Sequence, residues 1–174
     1  MHRMIMLAIT ILALSTAASA AQSSAEQKAQ VVWGWGADRI VGTYQTDAQV
    51  RPCGTSVPYM PVLNTISFNA GGTITENARF PPTGELNVFG IPGLFTRTVG
   101  LGSWSYNPFK RSYSMSLRYD FFENGLFYGI GVVHRELQLS ADGNTTSGSV
   151  HSTVYTSGGS VIVDLCGEAV SRRL

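Results

Sequence analysis

The chain has 174 residues, 44% of them apolar and 13% charged, and a formal net charge of +1. This is one domain's worth of sequence and is too apolar for disorder. The near-neutral balance excludes a basic nucleic-acid face as its main business, and equally an acidic tail. Nineteen glycines, seven prolines and eighteen aromatics (8 Phe, 7 Tyr, 3 Trp) favour strands and tight turns.

The first element is a leader. His2 and Arg3 precede an apolar run from Met4 to Leu14 with Thr10 as its one polar residue, and Ala18-Ser19-Ala20 forms a small-x-small cleavage site. The run is too short for a membrane span, which needs roughly 20 residues. Residues 1–20 are therefore expected to be a signal peptide cleaved after Ala20, with a secreted or periplasmic product. Losing Arg3 leaves that product with 11 basic and 11 acidic residues. Its two cysteines, Cys53 and Cys166, are an even number bound for an oxidising compartment, which predicts a structural disulfide over two free thiols. Two cysteines are too few for a structural zinc site, and no metal or other cofactor is expected.

Residues 21–38 read as an N-terminal arm, and 39–174 as the folded domain. From Ile40 the hydrophobic period is two. Strands are predicted over 40–51, 62–69, 73–77, 102–106, 112–122, 126–139, 145–155 and 160–170. The turns between them include Ala70-Gly71-Gly72, Glu123-Asn124-Gly125, Ala141-Asp142-Gly143-Asn144 and Ser157-Gly158-Gly159. Gly129 and Gly131 inside the sixth strand suggest a bulge or sharp coiling. Residues 79–98 break the pattern with Pro81-Pro82, Gly84, Gly90 and Pro92-Gly93, yet carry Phe80, Leu86, Val88, Phe89, Ile91, Leu94 and Phe95. So apolar a loop must pack on something, as a lid over a cavity or as a partner surface.

Eight consecutive strands without a helix predict an all-β, eight-stranded antiparallel up-and-down barrel, because closure removes the two free edges. A two-sheet β-sandwich is the alternative. Closure would make the first and last strands neighbours and bring Cys53 close to Cys166. An outer-membrane barrel fits less well. Its strands need an apolar outer band, whereas strand seven offers Val150 and Val154 on one face and Ser149, His151, Thr153 and Tyr155 on the other. No membrane span is expected in the mature protein.

Gly42-Thr43-Tyr44 opens the first strand, where lipocalin-like barrels carry Gly-x-Trp. Arg51-x-Cys53, Phe68-x-x-Gly71-Gly72-Thr73, Gly102-x-Trp104, Leu139-Ser140-x-Asp142-Gly143 and Cys166-Gly167 add to the likeness. Over about residues 40–174 the chain resembles small secreted bacterial proteins of lipocalin-like (calycin-type) fold. Such motifs specify turns and packing, so the resemblance implies a fold and not a reaction. The chain departs from lipocalins in placing Tyr44 at their Trp. The resemblance also implies a late arginine packed across that aromatic, either Arg172 or Arg173.

For chemistry, His134 and Glu136 share a strand face, and the turn at 141–144 would set His134 opposite His151 and Glu136 opposite Ser149, with Tyr155 further along the His151 face. His134, Glu136 and Tyr155 are thus the candidates for acid–base catalysis or for a divalent metal, but a one-residue slip in register would reverse their face. The competing face of Val133, Leu137 and Leu139 is more apolar and is expected inside. Tyr113, Met115, Leu117, Tyr119 and Phe121 share a face, with Ser112, Ser114, Ser116, Arg118 and Asp120 opposite. The first set, with Phe89 and Phe95 from the loop, is the candidate lining for a ligand. No nucleophile elbow, phosphate loop, His-Glu-x-x-His or dinucleotide fingerprint occurs. The expectation is a barrel holding a small, largely apolar molecule. The alternatives are a cofactor-free cyclase or isomerase, similar to allene-oxide cyclases and acting on a polyene or polyketide, and an interaction protein or homodimer using the apolar loop.

Overall fold

The computed structural model describes residues 36–174. The expected leader and nearly all of the 21–38 arm lie outside the described residues. Ten strands follow: β1 (Gly42–Pro52), β2 (Met60–Phe68), β3 (Thr73–Ala78), β4 (Glu85–Leu86), β5 (Leu94–Arg97), β6 (Gly100–Asn107), β7 (Ser112–Glu123), β8 (Leu126–Leu139), β9 (Thr145–Thr156) and β10 (Val161–Arg173). Eight of them pair antiparallel in the order β1-β2-β3-β6-β7-β8-β9-β10, and β10 returns to β1 through nine registered pairs from Tyr44–Arg173 to Pro52–Leu165. The fold is thus a closed eight-stranded antiparallel barrel, and the sandwich alternative is excluded. No α-helix occurs among the described residues.

Period-two alternation decides what lies inside. Tyr44, Thr46, Ala48 and Val50 of β1 point inward, as do Ile66 and Phe68 of β2, and Tyr113, Met115, Leu117, Tyr119 and Phe121 of β7. The polar alternates face water, and Arg118 pairs with Asp120 at 3.4 Å on that outer face. The bulge expected at the strand-six glycines is present beside Gly129: Phe121 pairs with Gly129 and Phe122 with Phe127, so Tyr128 of β8 is the extra residue. Gly131 serves packing instead: a Cβ there would lie 2.2 Å from Cζ of Tyr119.

Residues 79–98 are more ordered than their broken pattern predicts. β4 and β5 form a small hairpin, and β5 pairs with Phe121–Glu123 of β7. Because β8 occupies the other flank of β7, β5 and β6 run along the same flank as one interrupted strand. At the interruption the Thr98 N–H donates to the Asp120 carbonyl and the Asp120 N–H donates to Thr98 Oγ1, each at 3.0 Å. The rest of the segment folds over one end of the barrel. Val88 and Phe95 are buried there, and Phe80, Phe89 and Ile91 pack against the core.

The opposite end is plugged by a 3₁₀ turn over Ala37–Ile40, whose Ala37 and Ile40 are fully buried. Barrel packing therefore begins inside the segment expected as an arm. Arg173, and not Arg172, locks this end. Its guanidinium lies 4.8 Å from the centre of the Tyr44 ring and donates to the carbonyls of Gly143 (3.0 Å), Val41 (2.7 Å) and Arg39 (2.7 Å). Gly42, at φ 145°, is the residue that permits this: a Cβ there would lie 2.2 Å from the Arg173 guanidinium. The arrangement is consistent with a lipocalin-like fold. At the other end Cys53 and Cys166 are disulfide-bonded, tying the exit of β1 to β10, as fits a compartment outside the cytoplasm.

Candidate functional site

Between plug and lid the barrel interior keeps a small cavity of about 50 Å³. Most of its wall is apolar, from Val50, Val62, Ile66, Met115, Leu117, Val133, Val150 and Leu165, and the lid contributes Phe80 and Phe89. Several polar groups project into this space. Glu76 of β3 is 2% exposed and sits between Ile74 and Ala78 on the inward parity. Arg97, at the end of β5, crosses the break in the fourth strand to form an ion pair with Glu76, and its guanidinium lies 3.5 Å from the centre of the Tyr119 ring. Gly100 makes room for this pair. A Cβ there would meet Glu76 Oε2 at 2.7 Å and the Arg97 guanidinium at 3.3 Å.

The second interior cation is Arg135 of β8, 4% exposed. Its contacts are long: Nη1 to Ser171 Oγ and Nη2 to the Ala169 carbonyl, both 3.5 Å, while Nε has no partner. Ser171 is already engaged, accepting from Thr46 Oγ1 at 2.8 Å.

Burial dominates the electrostatics. It pushes the Glu76 carboxyl above its ordinary value, with Arg97 pulling in the opposite direction. It pushes the Tyr119 hydroxyl up. It lowers Arg135 to about 10, so that side chain remains a cation at neutral pH. With one carboxyl and two guanidiniums, the cavity carries an excess of positive charge whichever form Glu76 takes.

The expected site residues divide between two surfaces. Met115, Leu117, Tyr119 and Phe89 line the cavity. Tyr113, Phe121 and Phe95 lie in the same core but away from that space. Tyr113 packs on Trp104 and Tyr106 near the plug, and Phe95 and Phe121 pack edge-on below the lid. His134 does oppose His151, but His134 and Glu136 are exposed on the outer face. Tyr155 has the outward parity too, and the buried residues of β9 are Thr146, Val150, Ser152 and Val154. His134, Glu136 and His151 line a wider, open concavity of about 480 Å³ on the outer surface, with serines along its strands. There His151 Nε2 lies 2.7 Å from Asp164 Oδ1, which also accepts from Thr153 Oγ1 at 2.8 Å. Cys53, His151 and Cys166 bring donor atoms within 4.8 Å of one another, but the sulfurs are bonded together, so one imidazole is left as a metal ligand.

The interior charges, Glu76, Arg97 and Arg135, are the residues that sequence reasoning missed. A signal existed for Arg135: it alternates with Val133 and Leu137 on the face expected inside. His134 and Glu136 lie on the outer parity, and the more apolar face of Val133 and Leu137 lies inside as expected. No family model matches the chain, and none of the curated proteins compared with it matches either.

Proposed function

We propose that this protein is an extracytoplasmic binding barrel that takes a small, mainly apolar molecule into its interior, under the 79–98 lid. One observation carries the reading: the closed barrel leaves an internal space whose wall is apolar while a few buried polar groups converge on it, the usual make-up of a small-molecule site. The lid supports it. Phe89 closes the cavity from a left-handed backbone (φ 54°), next but one to Asn87, also left-handed (φ 56°). A bulky residue held there costs on the order of 1–3 kcal/mol, and such strain collects at clamps and switches.

The cavity at 50 Å³ exceeds the roughly 10–15 Å³ that one water needs, but it is far below the ~300 Å³ of a typical ligand pocket. Binding therefore requires Phe89 and Phe80 to move, with the tail of the ligand taking their place. Native mass spectrometry of the protein purified from its own compartment tests the proposal. Extra mass that is lost on denaturation is expected. A clean apo monomer that also fails to take up apolar compounds added at high concentration would overturn it, and a clean dimer would turn the lid into an interface.

A further inference from the structure

We propose that Arg135 is the receptor for a carboxylate, so that the molecule taken into the barrel is an organic acid with its acid group at Arg135 and its apolar body running towards Phe80 and Phe89. This deepens the binding reading above and rests on it. The inference comes from a contrast within one cavity. Arg97 and Arg135 are both buried there, and the fold supplies Arg97 with a carboxylate and an aromatic face. Among the described residues no carboxylate lies within ion-pair distance of Arg135. Of its five N–H donors two make contacts at 3.5 Å, the outer limit of a hydrogen bond, and Nε makes none.

A guanidinium buried in this way is a cost to the empty barrel, since a buried charge destabilises unless it is paired and hydrogen-bonded. A carboxylate meets both needs at once, because its two oxygens match the planar fork of the arginine. It also offsets the cavity's excess positive charge. The free space suits a head group rather than a whole ligand, and Arg135 is flanked by Met115 and Val150, its partners across β7 and β9, with Val133 and Ala169 also in the wall. Thr146, whose buried hydroxyl also lacks a partner, faces inward on the neighbouring strand β9.

Decanoate and 1-decanol differ in the head group alone and make the test, with calorimetric titration of the disulfide-bonded protein. Wild type is expected to bind decanoate about 100-fold more tightly than decanol, as the loss of a buried charge pair implies. In Arg135→Met that preference should disappear through a loss of decanoate affinity, with the melting temperature equal to or above wild type, which establishes that the variant folds. Arg135→Lys keeps the charge without the fork and should retain part of the preference. Equal binding of both compounds by wild type and Arg135→Met would overturn the role of Arg135 while leaving interior binding intact. Binding of neither compound at millimolar concentration would remove the binding reading and this inference together.

Discussion

Glu76 is pulled in two directions: the Arg97 guanidinium favours its charged form and burial favours the neutral one, and burial is the larger influence. The sign of the consequence is unusual for a carboxylate in an ion pair. A folded-state value above the ordinary 4.5 means that the folded protein binds the proton more tightly than the unfolded chain does. Stability from this group is then full below pH ~4.5 and declines as pH rises from there through the folded-state value. Glu76→Gln imitates the neutral form and does not titrate. The stability lost on making Glu76→Gln, measured by urea unfolding, should therefore be larger at pH 4.5 than at pH 7.5. A loss that grows with pH instead would mean that Arg97 overcompensates burial. Because Gln lacks the charge whose burial is disfavoured, any loss seen near pH 4.5 should shrink or reverse by pH 7.5.

At the scale of the strands, the barrel is closed twice along one seam, by the nine-residue ladder between β1 and β10 and by the disulfide just beyond it. The ladder alone suffices for closure, so the disulfide acts chiefly on the unfolded chain. Its 113-residue separation corresponds to about 4–5 kcal/mol of loop entropy. The reduced protein should keep its far-ultraviolet β signature and lose about that much stability in urea. A collapse of the β signature on reduction, or an unchanged midpoint, would contradict this division of labour. The same seam explains which parts of the fold were legible in the sequence. All eight barrel strands could be read because their period-two runs are long, and their turns carry residues with a mechanism. In the 140–145 turn, for example, Asp142 accepts from Ser140 Oγ and from the Asn144 N–H, and Gly143 takes a positive φ. β4 and β5 were hidden because pieces of two and four residues show no period, and the contacts that hold them, such as Thr98 with Asp120, join distant parts of the chain. The choice between Arg172 and Arg173 needed the β1–β10 register, which pairs Arg173 with Tyr44. The charged interior was hardest to read. Glu76, Arg97 and Arg135 line one cavity from three separate strands, so their convergence depends on a register that local alternation does not carry.

For the molecule as a whole, the two barrel ends are built differently, and under the binding proposal this asymmetry points to the lid end as the entrance. The plug end is held by Arg173 through three carbonyls and by Arg39, which donates to the Ala141 carbonyl at 2.6 Å. The lid end is held by packing of Phe80, Phe89 and Ile91, by the Asn87–Gly93 backbone bond at 2.9 Å and by the Asn124 N–H on the Leu94 carbonyl at 3.1 Å. Opening the lid breaks few polar contacts and releases two left-handed residues, whereas opening the plug strands a guanidinium from all its acceptors. Substitutions at Phe89 separate the two influences on the lid. Phe89→Ala removes the ring, which packs edge-on against Phe121, and keeps the strained backbone, so the closed lid loses support without relief. Phe89→Gly removes the same ring but also relaxes the φ of 54°, which returns roughly 1 kcal/mol to the closed form. Entry of the neutral fluorophore N-phenyl-1-naphthylamine, followed by stopped flow, should therefore be fastest in Phe89→Ala, by about tenfold or more over wild type for the ~1.5–3 kcal/mol of packing removed. Phe89→Gly should fall between the two. Ile40→Ala, which weakens the plug by a comparable loss of buried surface, should leave the entry rate at the wild-type value. Faster entry in Ile40→Ala with no change in Phe89→Ala would move the entrance to the opposite end of the barrel.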